Sequence, residues 1–531
     1  MIHKVLIADG LAPEGVAKLK AIESIELLEF AAIDRAELKK MIVSVDILIV
    51  RSRTQVDKDL LSGAKNLKLA IRAGIGLDNI DVKAATDNGV VVMNAPTGNI
   101  VTTAEHALAM LFAVSRHIPA ADASLRKGKW EKKRYQGNEL RGKTLGILGL
   151  GNIGKAVAER ARGLGLVVTG HDPYLSEEAA AKHHIRLVTF DELLEQSDYV
   201  TIHVPLIPQT KHLIGKDALQ KMKKGSYLIN CARGGIVDET ALCEALDRKQ
   251  LQGAALDVFE TEPLPLESPL LKREDVVLTP HLGASTDEAQ IQVGIEVAEQ
   301  VAMYLREGVL KNAINVPNVS LEQLGVLKPY LNLCERLGSL AAQMLSGKIA
   351  PSGLKVRYEG LLNSGANKEI LTLSVLKGFL TPHLSTPVNF VNARNLMKER
   401  GIRLEESITQ ESLDYTSLVE VSVKAEETIT VSGTIFGKNE PRIVKIDDFL
   451  IDASPSGVLL YTKNTDQPGV IGAMGSAIGQ QGINIARMHL GRDPEKGLAI
   501  ALINVDSELS PDGLDRLRKV PGMLSVKQIK V

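Results

Sequence analysis

His281 lies in Thr279-Pro-His-Leu-Gly283, directly after the apolar run Val276-Val-Leu278. An imidazole that titrates near neutrality can take a hydroxyl proton in one step and return it in another. Arg233 stands in Asn230-Cys-Ala-Arg-Gly-Gly235, again after an apolar run. Its planar guanidinium matches a carboxylate through two parallel hydrogen bonds. Asp257-Val-Phe-Glu-Thr-Glu-Pro263 offers a carboxylate that would favour the imidazolium and fix its tautomer. Spacing alone leaves Asp257, Glu260 and Glu262 as alternatives. A proton acceptor beside an anion clamp is what oxidation of a hydroxy acid next to a nicotinamide requires. Taken singly, each residue also has an ordinary reading, the histidine as a satisfied turn and the arginine as a surface ion-pair member.

A second constellation concerns phosphate. The run Leu145–Leu148 leads into Gly149-Leu-Gly151-Asn152-Ile153-Gly154, followed by a helical stretch over 155–164. In the order strand, loop, helix, the first glycine permits a tight turn and the second lets backbone approach a pyrophosphate. The third allows close packing, and the helix start offers free N–H groups to the anion. Asp172 ends the next strand, 18 residues beyond Gly154. A carboxylate there accepts from both ribose hydroxyls and repels a 2′-phosphate, which favours NAD over NADP.

The elements that must hold these loops follow a βαβ rhythm. Apolar runs at 5–8, 47–50 and 69–71 read as strands, with helices over 11–21 and 35–42 between them. Six more strand candidates lie at 144–148, 167–169, 199–202, 226–229, 254–256 and 276–278, the number a dinucleotide-binding sheet uses. Helical spacing over 102–116 and 287–307 marks where the chain would cross between two sheets. Residues 1–98 and 284–317 are therefore expected to form one discontinuous domain around a cofactor domain at 99–283. Blocks at 319–455 and 456–531 follow, the last reading β-α-β-β-α-β in a ferredoxin-like order.

Composition limits the alternatives. The 531 residues predict three or four domains at about 150 residues each. Lys and Arg number 63 against 64 Asp and Glu, a net charge of -1, which argues against a generally basic nucleic-acid binder and an acidic disordered chain. Aromatics at 3% leave an aliphatic core and little for base stacking. Cys231, Cys243 and Cys334 have neither paired nor metal-like spacing. No apolar run reaches the ~20 residues of a membrane span, and no signal peptide precedes the first strand-like run. A cytoplasmic protein with no nucleic-acid or membrane partner is expected.

Together these segments resemble the D-isomer-specific 2-hydroxyacid dehydrogenases over about the first 315 residues. The likeness rests on Arg72-Ala-Gly74 with Gly76-Leu-Asp78-Asn79, Asn94-Ala-Pro-Thr-Gly-Asn99, the loop Gly149–Gly154, Asn230–Gly235, Asp257–Pro263 and Pro280-His-Leu-Gly-Ala-Ser285. It implies a Rossmann-type doubly wound cofactor domain inserted in a flavodoxin-like substrate domain, and a homodimer built through the cofactor domain. It implies Arg233, Glu262 and His281 as catalytic residues, selecting Glu262 over Glu260. It carries over Gly149, Gly151, Asn152, Ile153, Gly154, Asp172, Cys231 and Asp257 to NAD, with Gly283 and Ala284 lining the nicotinamide. Ile75 and Val204 stand where a threonine is common, so two hydroxyl contacts are not expected.

The length and the two extra blocks resemble the long members of this family. The implied reaction is NAD-dependent oxidation of 3-phosphoglycerate, the opening step of L-serine synthesis. Arg51 and Arg72 are then the cations for the phosphate, with Ser52, Gly74 and Asn99 supplying hydrogen bonds. Arg53 and the run Lys132-Lys-Arg134 read as solvated charge. The final block resembles an ACT domain, in which paired modules bind an amino acid. That likeness places L-serine on Asn464, Asp466 and Asn484. The middle block resembles an α+β intervening domain that assembles a tetramer or holds a second effector, with Arg394, Lys438 and Arg442 available to an anion. Two alternatives stay open, a dehydrogenase acting on glycerate or hydroxypyruvate and an NAD-sensing corepressor.

Overall fold

The computed structural model describes residues 2–317, 321–345, 351–360, 368–384, 387–409 and 414–531. Its first sheet is parallel and consists of β1 (His3–Ile7), β2 (Ile25–Glu29), β3 (Ile47–Val50), β4 (Leu69–Arg72) and β5 (Val91–Asn94), in the order β2-β1-β3-β4-β5. That is the flavodoxin-like order. β3 is buried along its whole length, as an unbroken Ile-Leu-Ile-Val run requires when helices cover both faces. β2 and β5 lie outside the strands read from the sequence. The glutamates of Ile25-Glu-Leu-Leu-Glu29 interrupt its apolar run at the sheet edge.

The second sheet comprises β6 (Thr144–Leu148), β7 (Val167–His171), β8 (Arg186–Leu187), β9 (Tyr199–Ile202), β10 (Ser226–Asn230), β11 (Leu251–Leu256) and β12 (Val276–Leu278). Its order is β12-β11-β10-β9-β6-β7-β8, a doubly wound Rossmann arrangement that reverses between β6 and β9. β8 is a seventh strand beyond the six expected. Two residues carry no periodicity to read.

Two helices join the sheets. Helix Ile100–Ser115 buries Ala104, Ala107, Leu108, Leu111 and Val114 in one core of the second sheet. Helix Asp287–Glu307 returns to the first sheet, where Val293, Val297 and Val301 pack with Val5, Ile7 and Ile49. This helix meets helix Pro13–Lys20 where a Cβ on Gly15 would lie 2.6 Å from the Gly294 carbonyl, so only glycine permits the approach. The two crossings are tied together, since the amide and hydroxyl of Thr97 donate to Glu296 Oε2 at 3.2 and 2.7 Å.

The remaining strands are β13 (Gly353–Gly360), β14 (Arg403–Thr409), β15 (Ser417–Lys424), β16 (Thr428–Phe436), β17 (Glu440–Ile446) and β18 (Phe449–Ala453), then β19 (Val458–Thr465), β20 (Ile485–Asp493), β21 (Leu498–Val505) and β22 (Met523–Lys530). The first six form one mixed sheet and the last four an antiparallel sheet in the order β20-β21-β19-β22. Helices Val470–Gly479 and Pro511–Arg518 complete the β-α-β-β-α-β order. These two blocks share a core, because Leu459, Tyr461, Ile500, Leu502 and Ile529 pack in the same cluster as Leu337, Val375 and Val421. The middle block also touches the first domain, through Asn389 Nδ2 to the Gly89 carbonyl at 2.7 Å and Asn395 Nδ2 to Asp87 at 2.9 Å. Position 319, the expected start of the middle block, lies outside the described residues.

Candidate active site

In an open α/β sheet ligands bind beyond the carboxyl ends of the strands. Both sheets bring their chemistry to such ends. Arg51 follows β3, Arg72 ends β4, Asn94 ends β5, Asp172 follows β7, and Arg233, Glu262 and His281 follow β10, β11 and β12.

The loop after β6 divides its glycines by role. Gly149 has φ +93, and a Cβ there would lie 2.8 Å from the His203 carbonyl and from Val204 Cγ1. A Cβ on Gly154 would lie 2.1 Å from the Gly149 carbonyl oxygen, so the helix Asn152–Gly163 seats directly on the turn. Gly151 faces open space, with nothing within 4 Å of a Cβ. Asn152 is exposed and Ile153 half-buried beside it. Asp172 pins the loop from outside, accepting from the Leu150 amide at 2.9 Å and the Tyr174 amide at 2.9 Å. The open glycine at a helix start, with a carboxylate at the end of the neighbouring strand, fits a dinucleotide lacking a 2′-phosphate. Val204, in place of a hydroxyl residue, packs against the first glycine.

His281 carries φ +57, a left-handed conformation that costs a non-glycine residue about 1–2 kcal/mol and is retained where its surroundings over-determine it. Its amide donates to the Asp257 and Thr279 carbonyls at 2.9 and 3.0 Å. Its Nδ1 lies 2.8 Å from Glu262 Oε2, which leaves Nε2 for a substrate. The other carboxylate oxygen of Glu262 accepts from the Phe259 amide at 3.1 Å. The bond to Glu262 raises the imidazole above its ordinary pKa, against the opposing effects of burial and Arg233. Burial pushes Glu262 up, but His281 and the Phe259 amide outweigh it and hold the carboxyl below its usual range. Glu260 is placed elsewhere, 3.2 Å from His212 Nε2. An alcohol must meet a neutral imidazole to lose its proton, whereas the reverse reduction needs the imidazolium. Oxidation should therefore rise with pH through a pKa above ~6.5, and reduction should fall through the same value. Glu262→Gln should move both limbs to lower pH with reduced turnover. Paired profiles over pH 5–9 check this, and unmoved limbs would remove Glu262 from the role.

Three guanidiniums converge on the cleft. Arg233 Nε donates to Asp78 at 2.9 Å, bridging the two sheets' loops, and its Nη1 donates to the Ala232 carbonyl at 2.6 Å. A Cβ on Gly76 would lie 2.0 Å from Arg233 Nη2, so any larger residue there would displace the fork from its present position. Arg72 donates through Nε to Asn79 at 3.1 Å and through Nη1 to the Ala73 carbonyl at 2.8 Å. Burial, together with the nearby charges of Arg51 and Arg233, pushes the Arg72 guanidinium down to about 10. Three crowded cations that repel one another, with Asp78 the carboxylate bonded to Arg233, make a site for a polyanion. The Arg51 backbone is held by Asp9 at 2.8 Å, Ser52 and Arg53 are exposed, and Gly74 adopts φ +150 beside Arg72. Asn99 is 7% exposed, and its Oδ1 has no hydrogen-bond partner among the described residues.

Asp257 and Cys231 form the floor. Asp257 is fully buried and accepts from Thr279 Oγ1 at 2.6 Å, the Leu282 amide at 2.7 Å and the Gly283 amide at 2.8 Å. Cys231 is buried, and burial pushes its thiol far up. Gly283 is buried and Ala284 half-buried at the cleft edge. Asp78, Asn79, Asp9 and His106 support these groups and had no role assigned from sequence. Asp78 and Asn79 lie in the motif Gly76-Leu-Asp-Asn79, which was the available signal.

The terminal sheet separates the effector candidates. Asn464 pairs with Ala499 across β21, whereas Ile485, next to Asn484, pairs with Val505. At ~3.3 Å per residue those positions are about 20 Å apart. Within one chain, Asp466 is taken by Arg492 at 2.7 Å and Asn484 lies 3.3 Å from Asp506. A ligand touching all three residues therefore needs a second copy. Among the anion candidates of the middle block, Arg442 pairs with Glu440 at 3.0 Å and Arg394 with Glu406 at 3.7 Å, while Lys438 is exposed. Among the described residues no helix is long and apolar enough to cross a membrane.

Three family descriptions match the chain: D-isomer specific 2-hydroxyacid dehydrogenase, NAD binding domain, over residues 108–283; D-3-phosphoglycerate dehydrogenase intervening domain over 326–447; and ACT domain over 458–522. The D-3-phosphoglycerate dehydrogenase of Archaeoglobus fulgidus is 41% identical over 531 residues, covering 99% of this chain and 100% of the relative. That of Bacillus subtilis is 41% identical over 529 residues, covering 99% of each. Among solved structures, the NAD-dependent formate dehydrogenase from Staphylococcus aureus in complex with NAD is 31% identical with a TM-score of 0.53, covering 59% of this chain and 98% of that one.

Proposed function

The chain belongs to the D-3-phosphoglycerate dehydrogenases, and from that premise we propose that its cleft oxidises the C2 hydroxyl of 3-phospho-D-glycerate to give 3-phosphohydroxypyruvate, the opening step of L-serine formation. The enzyme is an NAD-dependent oxidoreductase. NAD, when bound, supplies the hydride acceptor. The loop Gly149–Gly154, with Asn152 and Ile153 at the helix start, would hold its diphosphate, and Asp172 its ribose. Cys231, Asp257, Gly283 and Ala284 would line the nicotinamide end.

Arg233 grips the substrate carboxylate with its fork and so orients C2. His281 Nε2 takes the hydroxyl proton, and Glu262 stabilises the imidazolium that results. Arg51 and Arg72 receive the phosphate, assisted by Ser52, Gly74 and Asn99. The observation that carries this reading is the convergence of Arg51 and Arg72 with Arg233 beside the His281–Glu262 pair. A monocarboxylate would need only one of the three cations.

The test is NADH formation from 3-phosphoglycerate, glycerate and other 2-hydroxy acids. Arg51→Ala should lower kcat/KM for 3-phosphoglycerate by about 10- to 100-fold, in the range of a lost charged hydrogen bond. It should leave the residual activity on glycerate within a few-fold. Equal losses on both would favour the unphosphorylated 2-hydroxy acids, and no NADH from any substrate would favour a corepressor.

Regulation by L-serine is part of the same proposal, seated where two ACT domains pair so that Asn464 and Asp466 of one meet Asn484 of the other. Asn464 is 2% exposed, and its Oδ1 has no hydrogen-bond partner among the described residues, which supports a ligand there. A cytoplasmic homo-oligomer, dimeric through the cofactor domain and tetrameric through the C-terminal blocks, completes the reading. Trp130, 84% exposed with Ile118 and Leu125 on the same segment, supports the first interface.

A further inference from the structure

His106 lies on the helix that crosses between the sheets, Ile100–Ser115, and has no part in the chemistry above. Its Nε2 is 3.2 Å from Asp257 Oδ1 and 3.3 Å from Thr279 Oγ1, and that hydroxyl donates to the same carboxylate oxygen. Asp257 in turn dictates the path of the next segment. Its carbonyl accepts the amide of His281, whose backbone is left-handed, and its carboxylate accepts the two following amides, Leu282 and Gly283. Thr103, from the same helix, donates to the Gly283 carbonyl at 2.9 Å. One helix thus holds the His281–Gly283 turn from two points. A carboxylate buried this fully keeps its charge only where donors outweigh desolvation. Burial pushes Asp257 up, and the bond from His106 is the largest of the influences that bring it below its ordinary range.

We propose that His106 is a positioning residue for the reaction, which by donating to Asp257 fixes the His281–Gly283 turn against the nicotinamide. The inference rests on His281 as the proton acceptor. A misplacement of about 1 Å in such a turn can cost up to about 100-fold in rate. Mere helix-to-sheet packing at His106 would affect melting temperature alone.

The experiment uses the full chain with His106→Ala, His106→Asn and His106→Gln. Glutamine places an amide donor near the position of Nε2, whereas asparagine falls one methylene short. Alanine and asparagine should lower kcat/KM for NAD by about 10- to 100-fold and weaken NADH binding, read by nicotinamide fluorescence, with KM for the hydroxy acid changed less than threefold. Glutamine should restore most of the loss. Alanine and asparagine variants with kcat/KM for NAD within threefold of wild type would overturn the inference, whatever their melting temperature, and so would glutamine as impaired as asparagine. Where alanine fails to fold, the asparagine–glutamine pair decides. His281→Ala is assayed alongside. Full activity there sinks the assignment of the base itself, whereas an inactive His281→Ala with an unaffected His106 series sinks only this inference.

Discussion

His281→Ala should lower turnover of 3-phosphoglycerate by about 10²- to 10⁴-fold, the usual contribution of a positioned general base. Binding of NADH should stay within a few-fold, because the proposed seat of the diphosphate is the loop Gly149–Gly154 and not the imidazole. Nδ1 is committed to Glu262 at 2.8 Å, so Nε2 is the nitrogen left for a substrate. The loss should fall on kcat and kcat/KM together, since proton acceptance is realised only in the transition state. Steady-state kinetics with a fluorescence titration of NADH check both halves. Turnover within tenfold of wild type would exclude His281 as the acceptor, and loss of NADH affinity would make it a cofactor ligand.

The second large effect is expected at Arg233. Truncating one partner of a desolvated charge pair costs 2–5 kcal/mol in general. Arg233 is about a quarter exposed, so Arg233→Ala should lower kcat/KM by about 30- to 200-fold, the lower part of that range. Arg233→Lys should recover little of it, because a lysine supplies charge without the fork. Asp78, which takes Arg233 Nε, would lose its cation, whereas Arg72 would be relieved of a repelling neighbour and titrate higher. Kinetics on 3-phosphoglycerate and its analogue lacking the carboxylate distinguish the assignments. An equal loss on both would place Arg233 outside carboxylate recognition.

Much of this site was legible in the chain because its motifs are local. The three glycines act within six residues, and their turn-and-helix geometry follows from the chain itself. The strand runs and the β-α-β-β-α-β order at the C-terminus follow from apolar periodicity; of the strands not read from the sequence, β2 carries glutamates and β8 has two residues, whereas β5 has an apolar Val-Val-Met run of its own. The choice between Glu260 and Glu262 was different. The two lie two residues apart on one loop, and only the folded turn sends Glu262 to His281 and Glu260 to His212.

The order of residues along the chain makes the kind of chemistry legible: a glycine turn suited to a nucleotide, a histidine after a strand end, a guanidinium fork suited to a carboxylate, and two further blocks. Tertiary structure decided which groups meet. Asp78 reaches Arg233 across 155 positions, and His106 reaches Thr279 across 173. Such partners obey no period, because the first pair meets where loops of the two sheets face each other and the second where a crossing helix packs on the end of β12. The residues proposed for the effector are the converse case, placed by sequence in one module but separated by strand register, so that the proposed site calls for a second copy.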